Sequence, residues 1–243
     1  MAFKNERNRN NIRALILILL FATAAFSIIH AISSNLNQTT DMNLLSPLSK
    51  DQMEDFKWLN KPASYKIENG ILTIEALKGT DFFNNPVDQK VTATAPFLYK
   101  EIKGDFEATA LVKPDFSSMW NAVSLMVHID EDNWMKFAFE NSDATGKSIV
   151  TVVTKEFSDD ANGVILETQE QVWLKLIRKN NVYAMHWSID GDDFKMARLT
   201  AMNYNGSVKI GVEAQCPVGG SATHEILQFE VVEKTVEDLR KGE

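Results

Sequence analysis

Cysteine, histidine and clustered basic residues are scarce in this chain of 243 residues, and each scarcity excludes a kind of site. The single cysteine, Cys216, excludes an intramolecular disulfide, and because it lies in an apolar stretch we predict a buried thiol. Four scattered histidines and one cysteine provide no zinc-binding spacing. The run from Asp190 to Asp193 lacks the other ligands of a calcium loop, and no glycine-rich loop joins a strand to a helix. We therefore expect no metal and no cofactor.

Charge is distributed unevenly along the chain. The first 32 residues carry Lys4, Arg7, Arg9 and Arg13 against one acid, Glu6, a balance of +3. Since the net charge of the whole chain is −8, the remaining residues carry −11. Contacts to phosphates need clustered lysine or arginine, so this acidic remainder argues against nucleic acid as a partner.

A hydrophobic segment follows the basic N-terminus. Residues 14–29 are uncharged, and the length of this run lies between that of a signal-peptide hydrophobic region and that of a membrane-spanning helix. Ala22-Thr23-Ala24 offers a cleavage pattern, so a cleaved signal and an uncleaved anchor both stay open. In either case the basic flank places the rest of the chain outside the cytoplasm. We assign residues 1–32 to this predicted helix, and the Ser-, Asn- and Thr-rich residues 33–54 to a linker.

Residues 55–232 contain about a dozen short apolar stretches with strand character and no convincing helix. Asn69-Gly70 and Asp190-Gly191 are strong hairpin signals, whereas Gly79 to Pro86 is predicted to be a loop. Many short strands at close spacing indicate an all-β, antiparallel sandwich or jelly roll. The charged residues 233–243 are predicted to form a short solvated tail.

One strand is the strongest site candidate. From Asn133 to Glu140 the residues alternate, so that one set faces the core and the other set faces away. The core set is Met135, Phe137 and Phe139, and the opposite set is Trp134, Lys136, Ala138 and Glu140. The second face is either a solvated sheet surface or the floor of a binding cleft.

Several short sequence motifs together resemble the domain-of-unknown-function family 1349 (DUF1349), some members of which are labelled "regulation of enolase". The motifs run in order from Trp58 to Pro217. They are Trp58-Leu59-Asn60, Thr80-Asp81-Phe82-Phe83, Trp134 to Glu140 with Ser148 to Thr151, Trp173 to Arg178, Ser188 to Gly191, Arg198, and Gly211 to Pro217. The resemblance covers about residues 55–232. It implies a concanavalin A-like (lectin/glucanase) β-sandwich with polar and aromatic residues on a concave sheet face, and it implies no reaction.

Carbohydrate binding is the function that this combination favours. We expect Trp134 to stack on a sugar ring, as indole faces do, and polar contacts from other residues. These are Asp81, Lys136, Glu140, Arg198 and Gln215, with Arg178 as a further donor. Lys136 and Glu140 lie about 13 Å apart along the strand, too far to form one ion pair.

Two alternative functions remain open. One is a glycoside hydrolase that uses Glu140 with Asp81 or Glu213, although the paired acids of glucanases on this fold are absent. Their nearest match, His128 to Asp132, falls at a turn. The other is a non-catalytic adhesion or scaffold domain.

Overall fold

The computed structural model describes residues 43–45 and 54–243, and those residues form an all-β sandwich with almost no helix. The hydrophobic segment predicted at 1–32 lies outside the described residues, as does most of the predicted linker. No helix within the described ranges is long and apolar enough to cross a membrane. The strands are β1 (Lys57–Leu59), β2 (Tyr65–Glu68), β3 (Ile71–Leu77), β4 (Phe82–Asn84), β5 (Val91–Ala93), β6 (Phe97–Ile102), β7 (Phe106–Lys113), β8 (Ala122–His128), β9 (Asn133–Ser142), β10 (Gly146–Lys155), β11 (Phe157–Ile165), β12 (Val172–Lys179), β13 (Val182–Ser188), β14 (Lys195–Ala201), β15 (Val208–Gln215) and β16 (Ser221–Val232).

Two antiparallel sheets of seven strands make up the sandwich. Sheet one has the order β1-β6-β15-β8-β9-β10-β11, and sheet two has the order β14-β13-β12-β7-β16-β3-β2. The main core lies between them and includes Phe106, Phe137, Phe139 and Phe229. The inward direction predicted for Met135, Phe137 and Phe139 is confirmed.

The two predicted hairpin turns are present. Asn69 and Gly70 join β2 to β3 with φ angles of 53° and 77°, the left-handed conformation that a two-residue turn of this kind requires. Asp190 closes the turn between β13 and β14, where its carboxylate accepts hydrogen bonds from Ser188 Oγ and from the backbone amides of Asp192 and Asp193. Local hydrogen bonds therefore account for this acidic cluster.

The β4–β5 hairpin, residues 82–93, is the main departure from the predicted strand pattern, and we name it the flap. Its first strand falls in the predicted loop, Gly79 to Pro86, yet its apolar side chain Phe82 is fully buried against the outer face of sheet one. Asn84 fastens it there, because its Nδ2 donates to the carbonyl oxygens of Glu131 and Glu156 at 3.0 and 2.9 Å. The flap explains why the middle strands of sheet one are buried on both faces.

The segment from 233 to 243 contains no helix and packs against sheet two. Val236 is buried beside Ile177 and Ala184, and Nε2 of His186 lies 2.9 Å from the carbonyl oxygen of Leu239. The prediction of a solvated tail followed the charged side chains of this segment and overlooked its apolar residues, Val236 and the partly buried Leu239. Cys216 is fully buried with Ala76 and Ala222, as predicted.

Candidate functional site

A cleft of about 450 Å³ opens on the outer face of sheet one, beside the flap. The flap and its entry contribute one wall, and strands β9 to β11 with the end of β15 contribute the rest. Most of the lining side chains are polar or charged. The lining residues are Asp81, Phe83, Asn85, Asp88, Lys90, Thr92, Trp120, Lys136, Glu140, Asp143, Val152, Asp160, Gln215 and Pro217.

Strand register brings the predicted polar residues together. Glu140 on β9 and Gln215 on β15 both lie opposite Ala122 of β8, so they flank one small side chain. Lys136 lies four residues before Glu140 on the same face. The small side chain of Ala122, between Glu140 and Gln215, leaves room above the sheet for longer side chains.

Lys136 is the buried centre of the site, with only 3% of its side chain exposed. Its Nζ donates to Asp81 Oδ1 at 3.1 Å and to Gln215 Oε1 at 2.6 Å. Burial lowers the pKa of this amine, but the nearby charges of Asp81, Glu213 and Glu140 raise it by more than burial lowers it. The net result is a raised pKa of about 12. Lys136 therefore stays positively charged and is held by its partners in a fixed position.

Gln215 is fixed from both sides. Its Nε2 donates to the carbonyl oxygen of Trp120 at 2.8 Å, which ties β15 to the loop before β8. The backbone carbonyl oxygen of Gln215 lies 3.1 Å from Nε2 of the buried His224. Because Asp115 N donates to Nδ1 of that ring, Nε2 carries the proton and donates to Gln215. Both the side chain of Gln215, which holds Lys136, and its backbone are therefore fixed by hydrogen bonds.

Glu140 lies beside Lys136 and Gln215 on the same sheet face and is also buried. It lines the cleft and is 7% exposed, and its carboxyl group forms no hydrogen bond or ion pair with the residues that the structure describes. Burial raises its pKa to about 8; Lys136 lowers it, and Asp160 and Asp81 add to the rise. At neutral pH this carboxyl group mostly keeps its proton and can both donate and accept hydrogen bonds.

Glu213 lies beneath the cleft and does not line it. It is fully buried, Ser124 Oγ donates to its Oε2, and its Oε1 has no partner among the described residues. Burial raises its pKa to about 7, against the lowering effect of Lys136 and Ser124. One ammonium cannot fully compensate all the carboxyl groups around it, so Asp81 takes the ion pair and the two glutamates retain protons more readily.

Trp134 does not occupy the position that sugar stacking requires. Its direction away from the main core was correctly predicted, but its indole is 1% exposed and meets Phe82 of the flap edge-on at a centroid distance of 5.9 Å. The flap, which the sequence pattern did not indicate as a hairpin, covers this position. Trp120 lines the cleft instead and is half-buried.

Neither predicted arginine lies in the cleft. Arg198 on β14 joins the edges of the two sheets, with Nη1 donating to Thr151 Oγ1 at 3.1 Å and Nη2 to Asp159 Oδ2 at 2.6 Å. Arg178 is buried and donates to backbone carbonyl oxygens, among them those of Lys103, Tyr204 and Gly206. Both side chains hold segments together.

Three of the lining side chains that sequence reasoning missed bear directly on the chemistry of the cleft. Asp143 follows β9, Asp160 lies on β11, and Trp120 precedes β8 with a left-handed φ of 60°. Asp160 lies opposite Val152 on the neighbouring strand, and Val152 lies opposite Lys136, so one row crosses three strands. The polar run Ser158 to Asn162 was the available signal, but it has the composition of a loop. No group of three or more His, Cys, Asp or Glu in the described part of the chain is arranged to hold a metal ion.

The fold and site define a class of two-sheet β-sandwich with a polar cleft on an outer sheet face. The chain belongs to the family described as "Protein of unknown function (DUF1349)", whose model matches residues 58–234. The resemblance noted in the sequence is therefore confirmed. A curated relative, "Regulation of enolase protein 1" of Saccharomyces cerevisiae, is 28% identical over 163 residues, which cover 67% of this chain and 82% of the relative.

Solved structures extend the likeness at the level of the fold. A functionally unknown protein from Saccharomyces cerevisiae superposes with a TM-score of 0.70 at 24% identity, covering 76% of this chain and 99% of that one. A xylan β-1,4-xylosidase from Bacillus halodurans gives a TM-score of 0.61 at 12% identity, covering 73% of this chain but only 36% of the enzyme. The carbohydrate recognition domain of Emp46p gives 0.52 at 12% identity, with 80% and 96% covered.

Proposed function

We propose that this protein binds carbohydrate in the cleft beside the flap, on a sandwich of the concanavalin A-like type. The observation that carries the proposal is the fixed polar floor formed by Lys136, Gln215 and Asp81, next to an unpaired Glu140. Such preorganised donors and acceptors suit the many hydroxyl groups of a saccharide, since little ordering is needed on binding. The fold-level likeness to a carbohydrate recognition domain and to glycosidase chains supports the same class of ligand.

Each contact has a chemical role in this proposal. Asp81, Gln215 and Glu140 offer acceptors for sugar hydroxyl groups, and the protonated form of Glu140 also offers a donor. Lys136 acts by holding Asp81 and Gln215 in place. Trp120 takes the stacking role first expected of Trp134, because an indole can cover the C–H face of a sugar ring.

A glycoside hydrolase is the second candidate, favoured by one observation. Glu140 has a raised pKa and lies in the same cleft as the ion-paired Asp81, and an acid and an ionised carboxylate are what glycoside hydrolysis requires. Glu213 is the weaker partner for such a mechanism, because it is fully buried below the cleft. A scaffold without a small ligand would leave the unpaired Glu140 unexplained.

We further propose that the domain works outside the cytoplasm, either released or tethered to a membrane. The support is the uncharged run at 14–29 behind a basic N-terminus.

Binding can be tested by titrating the protein with oligosaccharides chosen from a glycan array and measuring the heat of binding. Trp120→Ala should weaken binding about fivefold, which corresponds to the loss of one stacking contact. Trp58→Ala is the matched control, because it removes a half-buried indole that packs on Tyr65 and does not line the cleft. Flat responses to all glycans, or equal effects of the two variants, would reject binding in this cleft.

The same assay separates binding from hydrolysis. If the protein is an enzyme, products appear from a bound oligosaccharide, and Glu140→Gln abolishes their release while binding persists. If it is a binding domain, chromatography detects no product with either protein.

A further inference from the structure

The cleft has two chemically different sides. On one side the carboxylate of Asp81 is neutralised by Lys136 at 3.1 Å. On the other side Glu140, Asp143 and Asp160 line the cleft without an ion-pair partner among the residues that the structure describes. The Nζ of Lys136 bonds to Asp81 and Gln215 and forms no hydrogen bond or ion pair with any of these three. Lys90, the other lysine of the lining, lies on the flap and forms no ion pair with them within the described residues.

The second observation is the burial of Glu140. Its carboxyl group is about nine-tenths buried, faces the cleft and has no hydrogen-bond partner in the described part of the chain. A buried polar group without a partner costs free energy, and a ligand donor placed beside it would recover that cost. The free donor that suits a site next to two further carboxylates is a positively charged one.

We propose that the cleft selects saccharides that carry a free amino group, with the ammonium held at Glu140 on the side of the cleft that Asp143 and Asp160 line. This inference rests on the proposed carbohydrate binding and specifies its ligand. A protonated hexosamine supplies up to three N–H donors and the charge that this side of the cleft lacks, while its hydroxyl groups bond to Asp81 and Gln215. An N-acetylated sugar has lost that charge, and an acidic sugar is repelled.

Proton release follows from the same geometry. An ammonium beside Glu140 favours its ionised form and lowers its pKa. At a pH below the pKa of the amine, where the free ligand already carries its proton, binding of an amino sugar therefore releases a proton from this carboxyl group. A neutral sugar does not. The number of protons released is therefore a readout specific to this arrangement, and it does not depend on affinity.

The experiment compares three tetramers with the same backbone: β-1,4-linked glucosamine, N-acetylglucosamine and glucose. The full-length chain is titrated calorimetrically in two buffers with different ionisation enthalpies. We expect the glucosamine tetramer to bind about fivefold more tightly than the other two, the value of one partly exposed charge pair. We also expect that it alone releases protons, and that its advantage shrinks as salt is raised.

Variants assign the effect to its residues. Asp160→Asn should remove most of the preference for the glucosamine tetramer over the glucose tetramer, and Glu140→Gln should abolish the proton release. Asp192→Asn, in the exposed turn between β13 and β14, removes the same charge elsewhere and should change neither.

The outcomes are distinct. Equal binding of the three tetramers, or tighter binding of an uncharged one, overturns the amino-sugar inference and leaves carbohydrate binding intact. Failure of every saccharide to bind overturns both. If spermine binds as tightly as the glucosamine tetramer and also depends on Asp160, the site recognises an amine without the sugar, and the inference is wrong.

Discussion

The pH dependence of folding provides a direct test of the charge distribution around Lys136. The folded-state pKa of Glu140 is about 8, against an ordinary value of 4.5. A carboxyl group with a raised folded pKa binds more protons in the folded than in the unfolded chain. Its favourable contribution is complete below pH 4.5 and is lost as the pH rises through 8. We therefore expect the protein to lose stability on the alkaline side.

The size of the loss can be worked out for the interval from pH 6.5 to 8.5. The unfolded glutamate is already ionised there, so each pH unit costs about 1.4 kcal/mol multiplied by the protonated fraction in the folded state. Integrated over the interval, Glu140 accounts for about 2 kcal/mol and Glu213, with a pKa of about 7, for about 1 kcal/mol. Both groups are buried, so screening by solvent takes little from these values.

The assay is urea unfolding at fixed pH values across this interval, for the wild type and for Glu140→Gln. The variant should lose about 2 kcal/mol less than the wild type between pH 6.5 and 8.5. The buried His128 and His224, whose folded pKa is lowered to about 4, affect both proteins equally and cancel in the comparison. Glu131→Gln, in an exposed turn, is the control and should follow the wild type. Identical pH profiles for wild type and Glu140→Gln would refute the reasoning.

Two substitutions, each with an exposed control, and one membrane fractionation test further features of the chain. Lys136→Met leaves buried carboxyl groups uncompensated and should lower the free energy of unfolding, measured in urea, by about 3 kcal/mol. Lys66→Met, which removes an exposed ion pair with Glu68, should lower it by less than about 0.5 kcal/mol. Equal losses would contradict the role of burial. Arg178→Lys cannot reproduce a fork of bonds to several carbonyl oxygens and should cost about 2 kcal/mol by the same measurement, against no change for Arg240→Lys, an exposed residue near the C-terminus. Alkaline extraction of membranes should leave the chain in the pellet if the segment at 14–29 is an uncleaved anchor, and N-terminal sequencing of a soluble product would instead reveal a cleaved signal.

The fold was largely predictable because its signals are local. Period-two alternation defines the inward face of β9, and Asn69-Gly70 fixes its hairpin by backbone conformation alone. Edge strand β11 was mostly missed, since an exposed strand needs no apolar alternation; its residues from Ser158 to Gly163 are polar or small. The flap was missed because its anchors, among them Phe82 and Asn84, meet residues distant in sequence.

The site was predictable in part for the same reason. Lys136 and Glu140 share a strand face, and family resemblance brought in Asp81 and Gln215, all four of which line the cleft. Asp143 and Asp160 come from other elements, and nothing in their own sequence context reveals that they line the same cleft as Glu140. Trp134 shows the opposite error: a correct direction away from the core does not ensure exposure when another segment of the chain, the flap, covers that face.

The position of the last two strands has a consequence for how the protein is made. β15 pairs with both β6 and β8, and β16 pairs with both β3 and β7, so the C-terminal strands occupy interior places in the two sheets. Earlier strands flank a gap in each sheet until these residues have left the ribosome. Because these contacts join distant parts of the chain, they form slowly, and a truncated or stalled product exposes four strand edges. Such incomplete chains are expected to aggregate or to be degraded, so the cleft, which takes Gln215 from β15, exists only in a completed chain.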